Sequence, residues 1–371
     1  MVQYIWQTPS WPEFRWDSAA LLRSLGKARQ AQGELLAKAA YFELKAQAEV
    51  LTEEVLTTAA IEGEKLNLDS VRSSVARRLG LPTAGLPAVE RHVDGLVEML
   101  VDATRNHGEP LTASRLKGWQ AALFPTGYSG MSKIVVGNWR RGQEPMHVIS
   151  GPIGKENVHY EAPPADRVEG EVKRFLEWFQ SSRDQLDGLV RSAVAHFRFV
   201  TIHPFQDGNG RMARAIADMA LAQDENNGCR LYSMSAQIKA ERDDYYDVLE
   251  RTQKESGDIT EWIVWFLECL ERAIRRSDTE IQKTMIKARL WQTIADVGLN
   301  ERQRKVVNLL FEAGPGGFQG GLTNRKYRGI TKTTRETAKR DIADLLTKGI
   351  LVKNTGAGGG RSVSYDLVWP I

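Results

Sequence analysis

The segment from His203 to Arg214 constrains the fold of this chain more than any other stretch of its sequence. The residues before it, 186–201, carry apolar side chains at intervals of three and four, which is typical of a packed helix. Pro204 disfavours helical geometry at the preceding histidine, so this helix is predicted to end there. Glycines on either side of Asn209 favour a tight turn, and a second helix is predicted to open at that point. The sequence therefore predicts two helices joined by a polar loop.

The loop and the start of the second helix hold residue types that suit a polyphosphate. Glycine lets backbone N–H groups approach an anion closely, and a helix N-terminus points its unpaired N–H groups and positive dipole end at it. Arg211 and Arg214 lie three residues apart, about 60° around a helix, so both can face one phosphate group. Asp207 is a hard oxygen ligand of the kind that Mg²⁺ takes together with phosphate oxygens. His203, with an ordinary pKa of about 6.5, is mostly neutral at pH 7 and could accept a proton from an incoming hydroxyl.

At every defined position this segment resembles the motif HPFx(D/E)GNGRxxR of the Fic family, whose usual activity is to transfer AMP from ATP to a protein hydroxyl. The similarity covers roughly residues 110–265. The resemblance implies a mainly α-helical Fic core, with ATP as substrate, Mg²⁺ held by Asp207 and His203 as the general base. The residues implied to bind the nucleotide are Gly208, Asn209, Gly210, Arg211, Arg214, Tyr246, Gln253, Val158 and His159.

Residues 157–164 resemble the edge of the family called the flap, with Val158, His159 and Tyr160 in its centre. The resemblance implies that a target chain pairs with this edge through backbone hydrogen bonds, in the manner of strand addition. Such pairing is largely blind to sequence, so the flap does not identify the target protein. The alternative interpretation of this segment is an ordinary loop that ends in prolines.

Residues 58–63 fit the inhibitory pattern (S/T)xxxE(G/N) of the family, with Thr58, Glu62 and Gly63 at its defined positions. A spacing of four places Thr58 and Glu62 on one face of a helix. The resemblance implies that Glu62 pairs with Arg214 and occupies the position of the γ-phosphate, so that ATP binds unproductively. The alternative is a chance match on an Ala- and Glu-rich helix, with Glu62 merely solvated.

The net charge of +3 is a sum of two unlike parts. Residues 300–371 hold 13 Lys and Arg against 6 Asp and Glu, a local charge of +7, and the remainder of the chain has a local charge of −4. Composition and helical patterning separate three regions, and the first (1–108) is predicted to be helical. The resemblance implies that the second (109–295) is the Fic catalytic domain, and helices followed by a hairpin predict a C-terminal winged helix for the third (296–371). The basic character belongs to the last of these regions.

The C-terminal region is predicted to hold helices over 302–313 and 332–348 and a hairpin around a glycine-rich tip at 356–360. Lys332, Arg335 and Lys339 are three or four residues apart, which predicts one basic helix face, and Arg361 follows the tip. These four residues are candidates for contact with DNA. Winged helices also serve in dimerisation and docking, so DNA contact and protein contact remain two alternatives for this region.

The chain has two cysteines, Cys229 and Cys269, which fits a reducing compartment. Its sequence has no run that approaches the roughly 20 apolar residues of a membrane helix, and its first residues lack the basic and apolar regions of a signal peptide. We therefore expect a cytoplasmic protein with no membrane partner.

Two further functions stay open at the level of sequence. One is a DNA-binding regulator whose Fic core senses a nucleotide, and the other is transfer of a different nucleotide monophosphate. His203 favours an enzyme, because a sensor needs no base beside the phosphates. The sequence does not specify whether a Tyr, Thr or Ser of the target is modified. Self-modification is expected once inhibition is relieved, and a homodimer is left open.

Overall fold

Helices make up most of the computed structural model, which describes residues 3–38, 44–82, 86–150, 157–254, 257–293, 298–314, 318–354 and 363–369. The chain divides into two compact units, residues 1–278 and 279–371. The helices of the described residues are α1 (Ser18–Leu36), α2 (Leu44–Ile61), α3 (Leu68–Leu79), α4 (Arg91–Arg105), α5 (Ala113–Leu123), α6 (Val168–Ser181), α7 (Gly188–Ile202), α8 (Asn209–Glu225), α9 (Met234–Ala240), α10 (Arg242–Gln253), α11 (Thr260–Thr293), α12 (Glu301–Ala313), α13 (Asn324–Thr331) and α14 (Arg335–Thr347). The strands are β1 (Tyr128–Ser129), β2 (Ser132–Lys133), β3 (His147–Ser150), β4 (Asn157–Glu161), β5 (Leu351–Lys353) and β6 (Tyr365–Leu367). The predicted mainly α class with a small hairpin is confirmed.

Helices α7 and α8 form the centre of the first unit, and most of their side chains are buried. A helix that is apolar around most of its circumference has to be covered on several sides. Here the cover comes from α4, α5 and α6, whose buried side chains join one core with those of the central pair. The Ser192 hydroxyl donates to the carbonyl of Ala217 at 2.9 Å, which ties α7 directly to α8. This packing fixes the loop between the two helices, where the candidate site lies.

Helices α1 and α2 are the first two of the predicted N-terminal helical region, and residues 39–43 between them lie outside the described part of the chain. Asp17 caps α1, and its carboxylate accepts from the backbone N–H of Ala19 at 2.9 Å. Helix α2 is anchored to the start of α9 by the buried Glu54 carboxylate, which accepts from Ser233 Oγ at 2.7 Å. It ends at Ile61, and Gly63, with φ of +80°, adopts the left-handed geometry that lets the chain leave the helix.

The segment predicted as the flap, 157–164, contains β4, which pairs antiparallel with β3 with a register shift between Val148 and Ile149. Tyr160 on β4 is fully buried, and its hydroxyl donates to the carbonyl of Thr201 at 2.7 Å. The Trp6 indole N–H donates to the carbonyl of Glu161 at 2.7 Å. The hairpin is thus fixed to the end of α7 on one side and to the N-terminal segment on the other.

In the second unit, α12, α13 and α14 precede the β5–β6 hairpin, and Leu322 forms an additional antiparallel bridge with Tyr365. The prediction that a helix begins at Lys332 is wrong. Lys332 ends α13 in a left-handed conformation with φ of +50°, and α14 begins at Arg335 after Thr334, whose hydroxyl accepts from the Thr337 N–H at 3.2 Å. The glycine-rich tip and Arg361 lie outside the described residues. Among the helices that the structure describes, none is long and apolar enough to cross a membrane.

Candidate active site

The loop after α7 begins at His203, whose φ of +50° is left-handed. For a residue other than glycine this conformation costs about 1–2 kcal/mol, so the surrounding contacts must hold it. The His203 N–H donates to the carbonyl of Phe199 at 3.1 Å, and the His203 carbonyl accepts from Arg140 Nε at 2.8 Å. Arg140 is buried and also donates to the carbonyl of Pro163. A buried guanidinium thus fixes the backbone that presents the histidine, and the sequence analysis did not identify it.

The contact of the His203 imidazole with the backbone indicates which ring nitrogen carries the proton. Its Nδ1 lies 3.2 Å from the carbonyl of Val200, which can only accept, so we assign the proton to Nδ1 and the lone pair to Nε2. Burial lowers the pKa of His203 to about 4, and the nearby Arg140 adds to the shift. The ring is therefore neutral at pH 7, with Nε2 able to accept a proton.

The Asn209 side chain holds the loop in shape. Its Oδ1 accepts from the N–H of Phe205 at 3.0 Å, and its Nδ2 donates to the carbonyl of Phe205 at 2.8 Å. Because both ends of the amide are used within the loop, the side chain of Asn209 positions the loop, and its backbone N–H is the group left for a phosphate. Gly208 has φ of +92°, and a Cβ on it would lie 3.0 Å from Phe124 Cε2. Glycine is required there by both conformation and space.

Asp207 offers one carboxylate beside the start of α8. Its Oδ1 accepts from the N–H of Gly208 at 2.5 Å, its Oδ2 accepts from Ser129 Oγ, and its side chain is 41% exposed. Within the described part of the chain, no three His, Cys, Asp or Glu residues are grouped closely enough to hold a metal ion by themselves. A cation here would need oxygen ligands from a substrate or water in addition to Asp207.

Arg214 is almost fully buried and is held by the predicted inhibitory segment. Its Nε donates to Thr58 Oγ1 at 2.8 Å, and its Nη2 donates to Glu62 Oε1 at 2.7 Å. Burial alone would lower the pKa of Arg214, but the Glu62 carboxylate holds that pKa above its ordinary value. A Cβ built on Gly210 would lie 2.2 Å from Glu62 Oε1, so the carboxylate lies directly over the first turn of α8. Thr58, Glu62 and Arg214, the first two of which belong to the segment that resembles the inhibitory pattern, are therefore in direct contact.

Arg211 pairs with a second carboxylate of the same segment, which the sequence analysis did not single out. Glu64 Oε2 accepts from Arg211 Nη1 at 2.9 Å, and the guanidinium also lies 5.0 Å from the centre of the Phe124 ring. The available signal was the second glutamate two residues after Glu62. Two buried nitrogens, Arg211 Nε and Arg214 Nη1, have no hydrogen-bond partner among the residues that the structure describes. Both arginines thus retain buried donor capacity beside the helix N-terminus, as an anion site requires.

The other predicted nucleotide and flap residues differ in their surroundings. The Tyr246 hydroxyl donates to the carbonyl of Ile61 at 3.4 Å, which places it beside the end of α2. Gln253 is buried and donates to Thr201 Oγ1 at 3.1 Å, so its amide joins α10 to α7. His159 Nδ1 lies 2.5 Å from Glu250 Oε2, and Val158 is 40% exposed. The buried Tyr160 side chain anchors the flap and does not line its exposed edge.

Comparison with known proteins identifies two regions. Residues 110–221 match the Fic/DOC family, and residues 4–81 match a domain of unknown function, DUF4172. The chain is 34% identical over 114 residues to the protein adenylyltransferase Fic of Nematostella vectensis, covering 30% of this chain and 25% of that protein. It is 29% identical over 127 residues to a uridine 5'-monophosphate transferase of Xanthomonas campestris pv. campestris (strain 8004), covering 33% and 23%. The chain thus spans about a quarter of the length of these curated relatives.

The fold is similar to the crystal structure of a Fic family protein from Desulfovibrio desulfuricans G20, with a TM-score of 0.53 at 19% identity over 95% of this chain and 97% of that one. At this identity the likeness concerns the fold alone. The match over residues 110–221 and the full motif from His203 to Arg214 agree with it. This chain therefore carries a region of the Fic/DOC family at residues 110–221.

Proposed function

We propose that this protein transfers AMP from ATP to the hydroxyl of a Tyr, Thr or Ser side chain of a protein, and releases pyrophosphate. The observation that carries the proposal is a neutral imidazole with a free Nε2 next to a helix N-terminus that holds two buried arginines. The unpartnered nitrogens of Arg211 and Arg214 suit phosphate oxygens. Relatives named adenylyltransferases support AMP as the transferred group. Another relative is named a uridine 5'-monophosphate transferase, so the identity of the transferred nucleotide has to be tested.

His203 and the start of α8 account for the chemistry of this reaction. As the target hydroxyl oxygen attacks the α-phosphorus, its proton passes to Nε2 of His203. The bond from the α-phosphorus to the bridging oxygen breaks, and its electrons leave with pyrophosphate. Negative charge that develops on the phosphates is met by the backbone N–H groups of Asn209 and Gly210 and by Arg211 and Arg214. Both arginines are held in position before the reaction, and Glu62 and Glu64 must leave them before phosphate can bind there.

The residues present fit a magnesium ion. Mg²⁺ is usually held by one or two carboxylates together with substrate phosphates and water, and Asp207 is one partly exposed carboxylate beside the helix that would face the phosphates. Asp207 would hold the ion, which would supply further neutralisation of phosphate charge. Ser129 and the N–H of Gly208 orient the carboxylate for this role.

The contact between Glu62 and Arg214 makes this site autoinhibited in the proposal. A guanidinium binds carboxylate and phosphate through the same donors, so the two compete for it. With Glu62 Oε1 at 2.7 Å from Arg214 Nη2 and directly over Gly210, a γ-phosphate cannot occupy the same place. ATP would then bind in a geometry that does not present its α-phosphorus to the target hydroxyl.

Glu64 extends this inhibition to Arg211, and Glu64→Gln is expected to raise the rate of AMP transfer about two- to five-fold. The substitution removes the charge that competes with phosphate for Arg211 and leaves the contact between Glu62 and Arg214 in place. The measurement is the initial rate of label incorporation at several ATP concentrations. Glu90→Gln is the matched control, because Glu90 and Glu64 lie 3.7 and 3.8 Å from the same His92 Nε2. Equal transfer rates for Glu64→Gln and Glu90→Gln would mean that Glu64 does not contribute to the inhibition.

The nucleotide is tested with the Glu62→Gly variant and Mg²⁺, supplied in turn with ATP, GTP, CTP and UTP that carry label on the α-phosphate. We expect protein-bound label from ATP at least ten-fold above that from the other three, with one pyrophosphate released for each label bound. The chain itself is the first acceptor to examine, and lysate proteins follow by mass spectrometry. Preferential labelling from UTP would overturn AMP as the transferred group and retain nucleotidyl transfer, whereas no label from any nucleotide would overturn both.

A further inference from the structure

The second unit carries a surface on α13 and α14 that the proposed reaction does not use. Six exposed basic side chains, here called the basic face, lie on these two helices and the turn between them: Arg325, Arg328, Lys332, Arg335, Lys339 and Arg340. We propose that the basic face binds double-stranded DNA. The helices would form a helix-turn-helix, with α14 in the major groove and α13 across the phosphate backbone.

The unit separates its charges in the way that a polyanion-binding surface requires. Within the described part of the chain, none of the six basic side chains pairs with a carboxylate. Two of the three acidic residues of α14 are instead paired elsewhere: Asp341 accepts from Arg302 Nε at 2.8 Å, and Asp344 lies 2.6 Å from Lys348 Nζ. The third, Glu336, is exposed. Positive charge on the basic face is therefore left free to replace the counterions of nucleic acid.

The geometry of α14 suits a groove. Its 13 residues extend about 20 Å, and a helix of ordinary diameter fits the major groove of B-DNA. Arg335 and Lys339 lie one turn apart on its exposed side, and Arg340 lies about 100° further round from Lys339. Ala343 and Thr347 continue the same side and are small, so the helix can approach base edges closely. The left-handed residue Lys332 makes the turn between the two helices tight.

Two further features favour nucleic acid over a protein partner. The β5–β6 hairpin follows α14, as the wing does in a winged helix, and Lys353 is exposed on it. Protein interfaces have a core of apolar and aromatic side chains. The large apolar side chains that are exposed in the described part of this unit are Leu309, Val352, Val363 and Val368, and all four lie outside α13 and α14. The basic face thus offers charge and hydrogen-bond donors without an apolar core.

The test measures binding of the full chain to a fluorescent 30-base-pair duplex of mixed sequence by anisotropy, between 50 and 200 mM salt and without nucleotide. With six phosphate contacts, the slope of log K against log salt is expected to be about −5. Lys339→Ala/Arg340→Ala should weaken binding at least ten-fold at 100 mM salt and reduce the steepness of the slope by about 1.8. Arg304→Ala/Lys305→Ala, an equivalent exposed pair on α12, is the matched control and should change the slope by less than 0.5, which is about half of one phosphate contact.

Several results would overturn the proposal. These are equal effects of the two double variants, the absence of salt-dependent duplex binding at 50 mM salt, and binding of single-stranded DNA as tight as that of the duplex. Circular dichroism of each variant shows whether the unit is folded, and Lys339→Gln/Arg340→Gln replaces the first variant if it is not. The assay contains no ATP, so its outcome is independent of the proposed AMP transfer.

Discussion

Replacing Glu62 with glycine is expected to raise the initial rate of AMP transfer at least ten-fold, including transfer to the protein itself. Glu62 supplies the carboxylate at 2.7 Å from Arg214 Nη2, and its Oε1 lies where an anion at the start of α8 would lie. Removing it frees the guanidinium and the first turn of the helix for the γ-phosphate. Thr58 remains bound to Arg214 Nε, so the guanidinium should keep its position. Incorporation of α-labelled ATP over time measures the effect.

Two controls separate loss of the carboxylate from general loosening of the segment. Glu62→Gln keeps the size of the side chain and one hydrogen-bond acceptor but removes the charge, so its rate should lie between those of wild type and Glu62→Gly. The double variant Glu62→Gly/His203→Ala should show no label above background. A Glu62→Gly protein that is folded by circular dichroism and labels at the wild-type rate would contradict inhibition by this contact.

The polar loop was predictable from sequence because its geometry is local. Pro204 and the glycines at 208 and 210 decide where α7 ends and α8 begins, and the side chains of Asp207, Arg211 and Arg214 follow from that. The meeting of Glu62 with Arg214, 152 residues apart, was predictable only through resemblance to the family. No periodicity or spacing brings those two residues together.

The contacts that sequence reasoning missed are those that tertiary packing creates. Arg140 donates a hydrogen bond to the carbonyl of His203, 63 residues later in the sequence. Glu64 pairs with Arg211, 147 residues later in the sequence. Asn209 was expected to face phosphate, but its amide closes the loop on Phe205, because a buried amide takes the nearest backbone partners. Helix α13 is not predictable from the sequence pattern, because its eight residues are mostly polar or basic and only Tyr327 among them is buried. A short polar helix has no apolar stripe to reveal it.

His203→Ala, made in the Glu62→Gly background, is expected to lower the rate of AMP transfer at least a thousand-fold, or by about 4 kcal/mol of transition-state stabilisation. The substitution removes the Nε2 acceptor and leaves both arginines and the start of α8 intact, so the Kd for ATP should change less than about three-fold. Incorporation of label and calorimetric titration with ATP measure the two quantities separately. His107→Ala, in the turn after α4, makes the same change outside the loop and should keep the full rate.

The pH dependence adds an independent test of the same role. Burial lowers the pKa of His203 to about 4, so the imidazole is in its basic form throughout the neutral range and loses it only as pH falls through that value. Titration of His203 should therefore change the transfer rate of the Glu62→Gly variant by less than about two-fold between pH 6 and 8. A rate that rises ten-fold per pH unit across this range would mean that another group accepts the proton.

The substitution of His203 also has an outcome that would contradict its role as a base. If the His203→Ala protein keeps the rate of transfer, His203 only supports the structure of the loop, and transfer at this site does not depend on its imidazole.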